Sequence, residues 1–242
     1  MASPCSSIDV QKPAQSLHLV DTIRVADMTY PAFFDEVETI TVYDPLAEFL
    51  GSAAEGRIEY SYVDAVKLAG HSCPTVAGAY LMTLKGLKAL YGEQHPQRGR
   101  IKVEIKNDIT AGTTGVVARI VGLITGAAQE DGFKGIAGHF DRRNLLFCKA
   151  DIAGGIRFER LDTGASVQLN YHPEIVPPPP RVAAVMRNAL SAGEDSEARR
   201  AFSVLWQDRV KHILIDSCDD PGLIVRLEMN AQAGPAPSAD IA

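Results

Sequence analysis

The chain has 242 residues, 46% of them hydrophobic and 22% charged, which is enough to bury a core in one main domain. Its formal charge is -6 and no basic patch stands out, which argues against a nucleic-acid partner. No stretch reaches the roughly 18 consecutive apolar residues that a bilayer requires, so no membrane span is expected.

The first fifteen residues are small and polar, with Pro4 and Pro13, and lack the basic start and apolar run of a signal peptide. They read as most of a flexible arm, 1–17, on a cytoplasmic protein. Residues 37–43 form a β-branched, strand-like run. Asp44 then serves as N-cap, with Pro45 at the first position of a helix that Gly51 ends. A strand over 57–63 leads to a short helix over 64–68.

The clearest helix runs over 75–91 and ends at Gly92, with Val76, Tyr80, Leu84, Leu87 and Tyr91 at helical spacing. Ala77, Gly78 and Ala79 in its first turns would let another backbone, or a substrate, come close. A strand follows over 101–105, then a segment rich in glycine and hydroxyls over 107–115. The apolar stretch 116–124 reads as a helix, and 129–143 as a loop. Strands over 145–149, 156–159 and 167–170 read as an antiparallel meander. Four prolines at 177–180 close a core, 18–176, and open a helical extension, 177–228, with helices over 181–192 and 196–215 and a last strand over 223–227. Phe202, Leu205, Trp206, Val210 and Ile213 form an apolar stripe, suited to packing on the core or docking a partner. Residues 229–242 are rich in Ala, Pro and Gly and are expected to be a disordered tail.

The chemistry gathers at Gly70-His71-Ser72-Cys73-Pro74-Thr75. Proline is favoured at the first helical position because it has no N–H to satisfy, which makes Cys73 the N-cap. A cysteine there meets free N–H groups and the positive end of the helix dipole, both of which favour thiolate. His71, two residues earlier, can reach the same point. The pair therefore reads either as two metal ligands or as a base and a nucleophile. Imidazole with thiolate suits a divalent transition metal, zinc first.

Asp108 and Thr110 precede the helix at 116–124 and read as caps or as an anion or cofactor site at a helix start. Arg142 and Arg143 read first as a solvated charge pair, or else as binders of a carboxylate or phosphate, with Arg143 the candidate for a cofactor. Cys148 reads as a buried core thiol, and Cys5 and Cys218 as incidental. No two cysteines have C-x-x-C spacing, and a cytosolic chain of this size is not expected to carry a disulfide framework.

The stretch from Lys67 through Gly70-His71-Ser72-Cys73-Pro74 to Gly78-Ala79-Tyr80, with Leu87-Lys88-Ala89-Leu90 after it, resembles the signature of the FmdE-like family, named for the E component of formylmethanofuran dehydrogenase. Asn144-Leu145-Leu146-Phe147 resembles a later segment of that family, and the resemblance covers roughly 60–170. It implies an α+β core, often an intimate dimer, with a metal near the His-x-Cys pair. Members sit beside or are fused to molybdenum or tungsten enzymes. Where the family commonly has a second histidine, this chain has Ala69, and His139 stands where a cysteine ligand is usual.

The expected fold is therefore α+β, a mixed or antiparallel sheet packed with helices, with a helical C-terminal extension. The expected protein is a homodimer that binds metal through His71, Cys73 and His139. It is either a metal-dependent enzyme acting on a small-molecule substrate with Cys73 and His71 as catalytic residues, or a non-catalytic metal or cofactor carrier assisting a redox enzyme. His18, near the arm, could complete a neighbour's site.

Overall fold

The computed structural model describes residues 30–194 and 196–227. A 3-10 turn at Ala32–Glu36 precedes a small antiparallel pair, β1 (Ile40–Tyr43) and β2 (Arg57–Tyr60), with α1 (Pro45–Phe49) between them. Helix α2 (Tyr62–Ala69) leads into α3 (Pro74–Tyr91). A five-stranded sheet contains β3 (Ile101–Ile105), β4 (Leu146–Phe147), β5 (Ile156–Arg160), β6 (Ser166–Tyr171) and β7 (Ile224–Leu227). Helix α4 (Thr114–Thr125) follows β3, and α5 (Val182–Ser191) and α6 (Glu197–Lys211) precede β7. The class is α+β, with a mixed sheet packed against helices.

Several local expectations hold in detail. Asp44 accepts from the amides of Leu46 at 2.9 Å and Ala47 at 3.2 Å, with Pro45 in the first turn. Helix α2 begins earlier than the expected 64–68. The Ser61 amide donates to the Asp64 carboxylate at 2.9 Å, a reciprocal cap that starts the helix at Tyr62.

The expected meander needs correction. β5 and β6 pair antiparallel, but β3 lies between β4 and β5, giving the order β4-β3-β5-β6-β7. β4 has only two residues and runs parallel to β3, with Val103 opposite Leu146. A parallel pair requires a crossover, and α4 supplies it. Cys148 consequently falls just after the strand, half-buried, and burial pushes its thiol above the ordinary value.

Helix α3 is the centre of the core. Twelve of its eighteen residues are buried, so it is covered all round rather than along one stripe. β5 and β6 lie against it, as do α2, α4 and α6. Its small residues admit rings, not a backbone or a substrate. A Cβ at Gly78 would stand 2.2 Å from the Tyr171 ring, and one at Gly86 would stand 2.7 Å from the Phe158 ring. The two glycines are eight residues apart, so they present one face to β5 and β6.

The C-terminal extension is built into this core. β7 pairs with β6, and Arg209 of α6 donates to the carbonyls of Val176 at 2.8 Å and Pro173 at 3.1 Å. Val210 and Ile213 of the apolar stripe are fully buried, and Phe202 packs on Trp206. The helices expected over 181–192 and 196–215 are present, the second ending in a π-turn at His212–Asp216. No helix among the described residues is long and apolar enough to cross a membrane. The arm at 1–17 and the tail at 229–242 lie outside the described residues.

Alanine at Gly78 or Gly86 should gain about 1 kcal/mol of helix propensity yet lose more to overpacking, usually about 1–3 kcal/mol. Urea unfolding should therefore show both variants destabilised, whereas Gly193→Ala, where a Cβ meets nothing within 4 Å, should stay near wild type.

Candidate functional site

The turn between α2 and α3 is held from several sides. Gly70, left-handed at φ 75°, ends α2 and sends the chain outward. Cys73 is extended, at φ -153° and ψ 170°, and caps α3 with Pro74 in the first turn, as expected. Its carbonyl accepts from Ala77 at 3.0 Å, but its thiol makes no capping hydrogen bond to the helix. The thiol, half-buried, thus remains available.

Four side chains clamp the residues around it. The hydroxyls of Tyr62 and Ser72 share a hydrogen bond of 2.9 Å. The Ser72 carbonyl accepts from Trp206 Nε1 at 3.0 Å and from Gln207 Nε2 at 3.2 Å. Tyr171 donates its hydroxyl proton to the Pro74 carbonyl at 2.9 Å. Burial pushes both phenols above their ordinary value, so both stay protonated. No sequence signal marks these clamps, because they come from α2, β6 and α6, far apart along the chain.

His71 is exposed, and its Nδ1 lies 2.9 Å from the Ala69 carbonyl. A carbonyl only accepts, so Nδ1 carries the proton. In the neutral ring this leaves the lone pair on Nε2, the arrangement common in metal-ligating histidines, whose other nitrogen donates to a carbonyl or carboxylate.

The remaining candidates occupy other places. His139 is exposed, lies beside the Phe140 ring at 6.0 Å, and closes a turn with Ile136 through two backbone bonds of 2.9 Å. The cleft it lines is walled by Gln97, Gly99, Arg142 and Asp162, with neither His71 nor Cys73 on its wall. Among the described residues, no group of three or more His, Cys, Asp or Glu side chains is placed to hold a metal. His18 and Cys5 lie outside the described residues. Cys218 donates to the Ile215 carbonyl at 3.3 Å.

Asp108 and Thr110 do not cap a helix. The Asp108 carboxylate accepts from the Thr110 amide at 3.0 Å and hydroxyl at 2.8 Å, in an exposed turn. Those bonds hold the carboxyl below its usual value. Helix α4 starts only at Thr114. Arg143 grips Asp141 through Nε at 3.0 Å and Nη2 at 2.6 Å, which holds the Asp141 carboxyl at about 2.

Arg142 is no solvated partner of Arg143. Its side chain is only 7% exposed, and its Nη2 donates to Asp44 Oδ1 at 2.6 Å. Arg98 Nη1 donates to the other carboxylate oxygen of Asp44 at 2.8 Å. Arg98 also reaches the Leu123 carbonyl near the end of α4, from Nε at 3.3 Å and Nη2 at 3.1 Å. Burial opposes the charge on Asp44, but the hydrogen bond from Arg98 and the charge of Arg142 outweigh it and hold the carboxyl below its usual value. Along the chain Asp44 shows only as a cap; its partners lie 54 and 98 residues further on.

No family model matches this chain, and neither does any curated protein.

Asp44→Asn preserves the cap but leaves the buried Arg142 and the partly exposed Arg98 without a counter-charge. Removing one side of a buried ion pair typically costs about 3–5 kcal/mol, and urea unfolding near neutral pH should show a loss of that order. Because the folded carboxyl titrates below its unfolded value, its stabilisation is complete above about pH 4 and fades as the pH falls through the folded value. The gap between wild type and Asp44→Asn should narrow on acidification.

Proposed function

We propose that the chain binds a divalent transition metal, zinc by ligand type, at the turn between α2 and α3, through the Nε2 of His71 and the thiolate of Cys73. The single observation that carries this reading is the His71 ring, whose Nδ1 is tied to the Ala69 carbonyl with a free thiol two residues on. The resemblance to the FmdE-like family supports it from the same residues. Two donors do not complete a zinc site, which takes four ligands. A third, from His18 or from a second copy in a homodimer, its His139 included, would leave one position for water or a small-molecule substrate.

When bound, the metal would polarise a ligand or lower the pKa of its water. The chain's own part is positioning. Pro74 fixes the start of α3, the Tyr62, Tyr171, Trp206 and Gln207 contacts fix the turn, and Ala69 fixes the tautomer of His71. In the enzymatic form of this reading Cys73 and His71 are also the reactive pair, in a cytoplasmic protein. The carrier form, serving a molybdenum- or tungsten-type oxidoreductase, draws on exposed Met186, Leu190 and Val204 of α5 and α6, which offer apolar side chains to a partner. The Asp108, Thr110 and Arg143 side chains are already engaged in local bonds, which makes them poor candidates for holding a cofactor.

Metal analysis of the purified protein should find zinc at about one ion per site, lost in both Cys73→Ala and His71→Ala. A metal-free protein, indifferent to Cys73→Ala, would refute the reading. Turnover by the protein alone would favour an enzyme, whereas dependence on an oxidoreductase partner would favour the carrier.

A further inference from the structure

The cleft of about 680 Å³ along α4 lies outside the metal reading altogether. Arg98, Arg119 and Arg142 stand on its wall with a single carboxylate, Asp131. Asp44, behind the wall, pairs with Arg98 and Arg142 together. Three arginines against two carboxylates leave an excess positive charge, part of it buried. Buried charge without a counter-charge is costly, so native proteins seldom keep it without use.

Two features of Arg142 sharpen this. Its Nη1 is buried and has no hydrogen-bond partner among the described residues, whereas Nη2 donates to Asp44. An orphaned charged donor normally marks a missing water, ion or ligand. That nitrogen is packed between Gly99, where an added Cβ would stand 1.9 Å from it, and Gly126 on the cleft wall, where one would stand 2.7 Å away. The loop that carries Arg142 is also strained. Ala137, Phe140 and Asn144 all have left-handed backbones, at φ 49°, 64° and 55°, around the arginine. Such residues persist when the surroundings over-determine them, and they gather at ligand sites.

Arg119 completes the picture at the surface. It is exposed on α4 and has no hydrogen bond or ion pair among the described residues. Leu68 and Phe133 share the wall and are 45% and 47% exposed, so they offer apolar surface to the cleft. A cleft with convergent cations and an apolar wall suits an amphipathic ligand.

We infer that this cleft binds a small organic anion, its carboxylate or phosphate head held by Arg119 and the Arg142 side of the wall, and its apolar body laid on Leu68 and Phe133. The guanidinium fork matches either head group. Of the anion-binding candidates read from the sequence, Arg142 lines this cleft, whereas Asp108, Thr110 and Arg143 do not; Arg119 joins it from a separate segment.

Calorimetric titration of the full chain at fixed ionic strength tests this with sodium benzoate, phenyl phosphate, inorganic phosphate and neutral benzamide. Benzoate or phenyl phosphate should bind, with benzamide at least roughly tenfold weaker. Benzoate alone would assign a carboxylate head, and phenyl phosphate with inorganic phosphate a phosphate head. Arg119→Gln, a surface change that leaves the Asp44 cluster intact, should weaken binding roughly tenfold, the scale of one lost charge-assisted contact. Amide shifts in NMR should centre on Gly122 and Gly126. Absence of binding at roughly 10 mM of every anion, equal binding of benzamide, or binding indifferent to Arg119→Gln would overturn the inference. Cys73→Ala should leave this binding unchanged, so the fate of the metal reading and of the cleft are separable.

Discussion

A single carboxylate, that of Asp44, joins the parts of this molecule that the chain order keeps apart. It starts α1, takes one guanidinium from Arg98 and another from Arg142, and lies almost wholly out of water. Through Arg98 it reaches the end of α4, and through Arg142 it anchors the long loop between α4 and β4. The backbone reinforces the same junction: the Asp44 amide donates to Gly56 at 2.7 Å, and the Arg98 amide to Tyr43 at 2.8 Å. Buried ion pairs add little net stability compared with apolar packing, but losing one partner is expensive. The cluster therefore acts chiefly as a constraint on arrangement. The β1–β2 pair, α4 and the Arg142 loop have one mutual placement in which both arginines reach the same carboxylate.

What is legible in the sequence is mainly local. Cys73-Pro74 marks the start of α3, Asp44-Pro45 the start of α1, and Gly92 and Gly126 the ends of two helices, because caps and breakers act within a few residues. What is not legible depends on partners far along the chain. Arg142 looks solvated beside Arg143 until Asp44 is brought to it. The strand at 146–147 looks like the first of a meander until α4 carries it to the far side of β3. Gly78 and Gly86 look like generic small residues until the rings of Tyr171 and Phe158 arrive. At the candidate site the same division holds: His71 and Cys73 are near neighbours in sequence, while Tyr62, Tyr171, Trp206 and Gln207 reach them only through tertiary structure.

The two candidate sites differ in kind. At the turn before α3 the donors are few and the scaffold around them is dense, with the Ser72 and Pro74 carbonyls and the Ser72 hydroxyl already engaged. Along α4 the charges are many and incompletely matched, and the loop above them carries backbone strain. A metal, with its short and directional bonds, needs the first sort of setting. An organic anion, recognised by charge and shape together, is served by the second.

The ring-to-glycine contacts under α3 carry a consequence for motion. With Tyr171 seated over Gly78 and Phe158 over Gly86, the helix has two pegs, about 12 Å apart by its rise, and can neither slide nor turn without lifting both rings. Cys73 is thus mounted on an immovable post. On its other side the turn is held by α6, whose Trp206 and Gln207 bind the Ser72 carbonyl. The C-terminal extension is then a brace, and the Gly-His-Ser-Cys-Pro turn is held between it and the pinned helix.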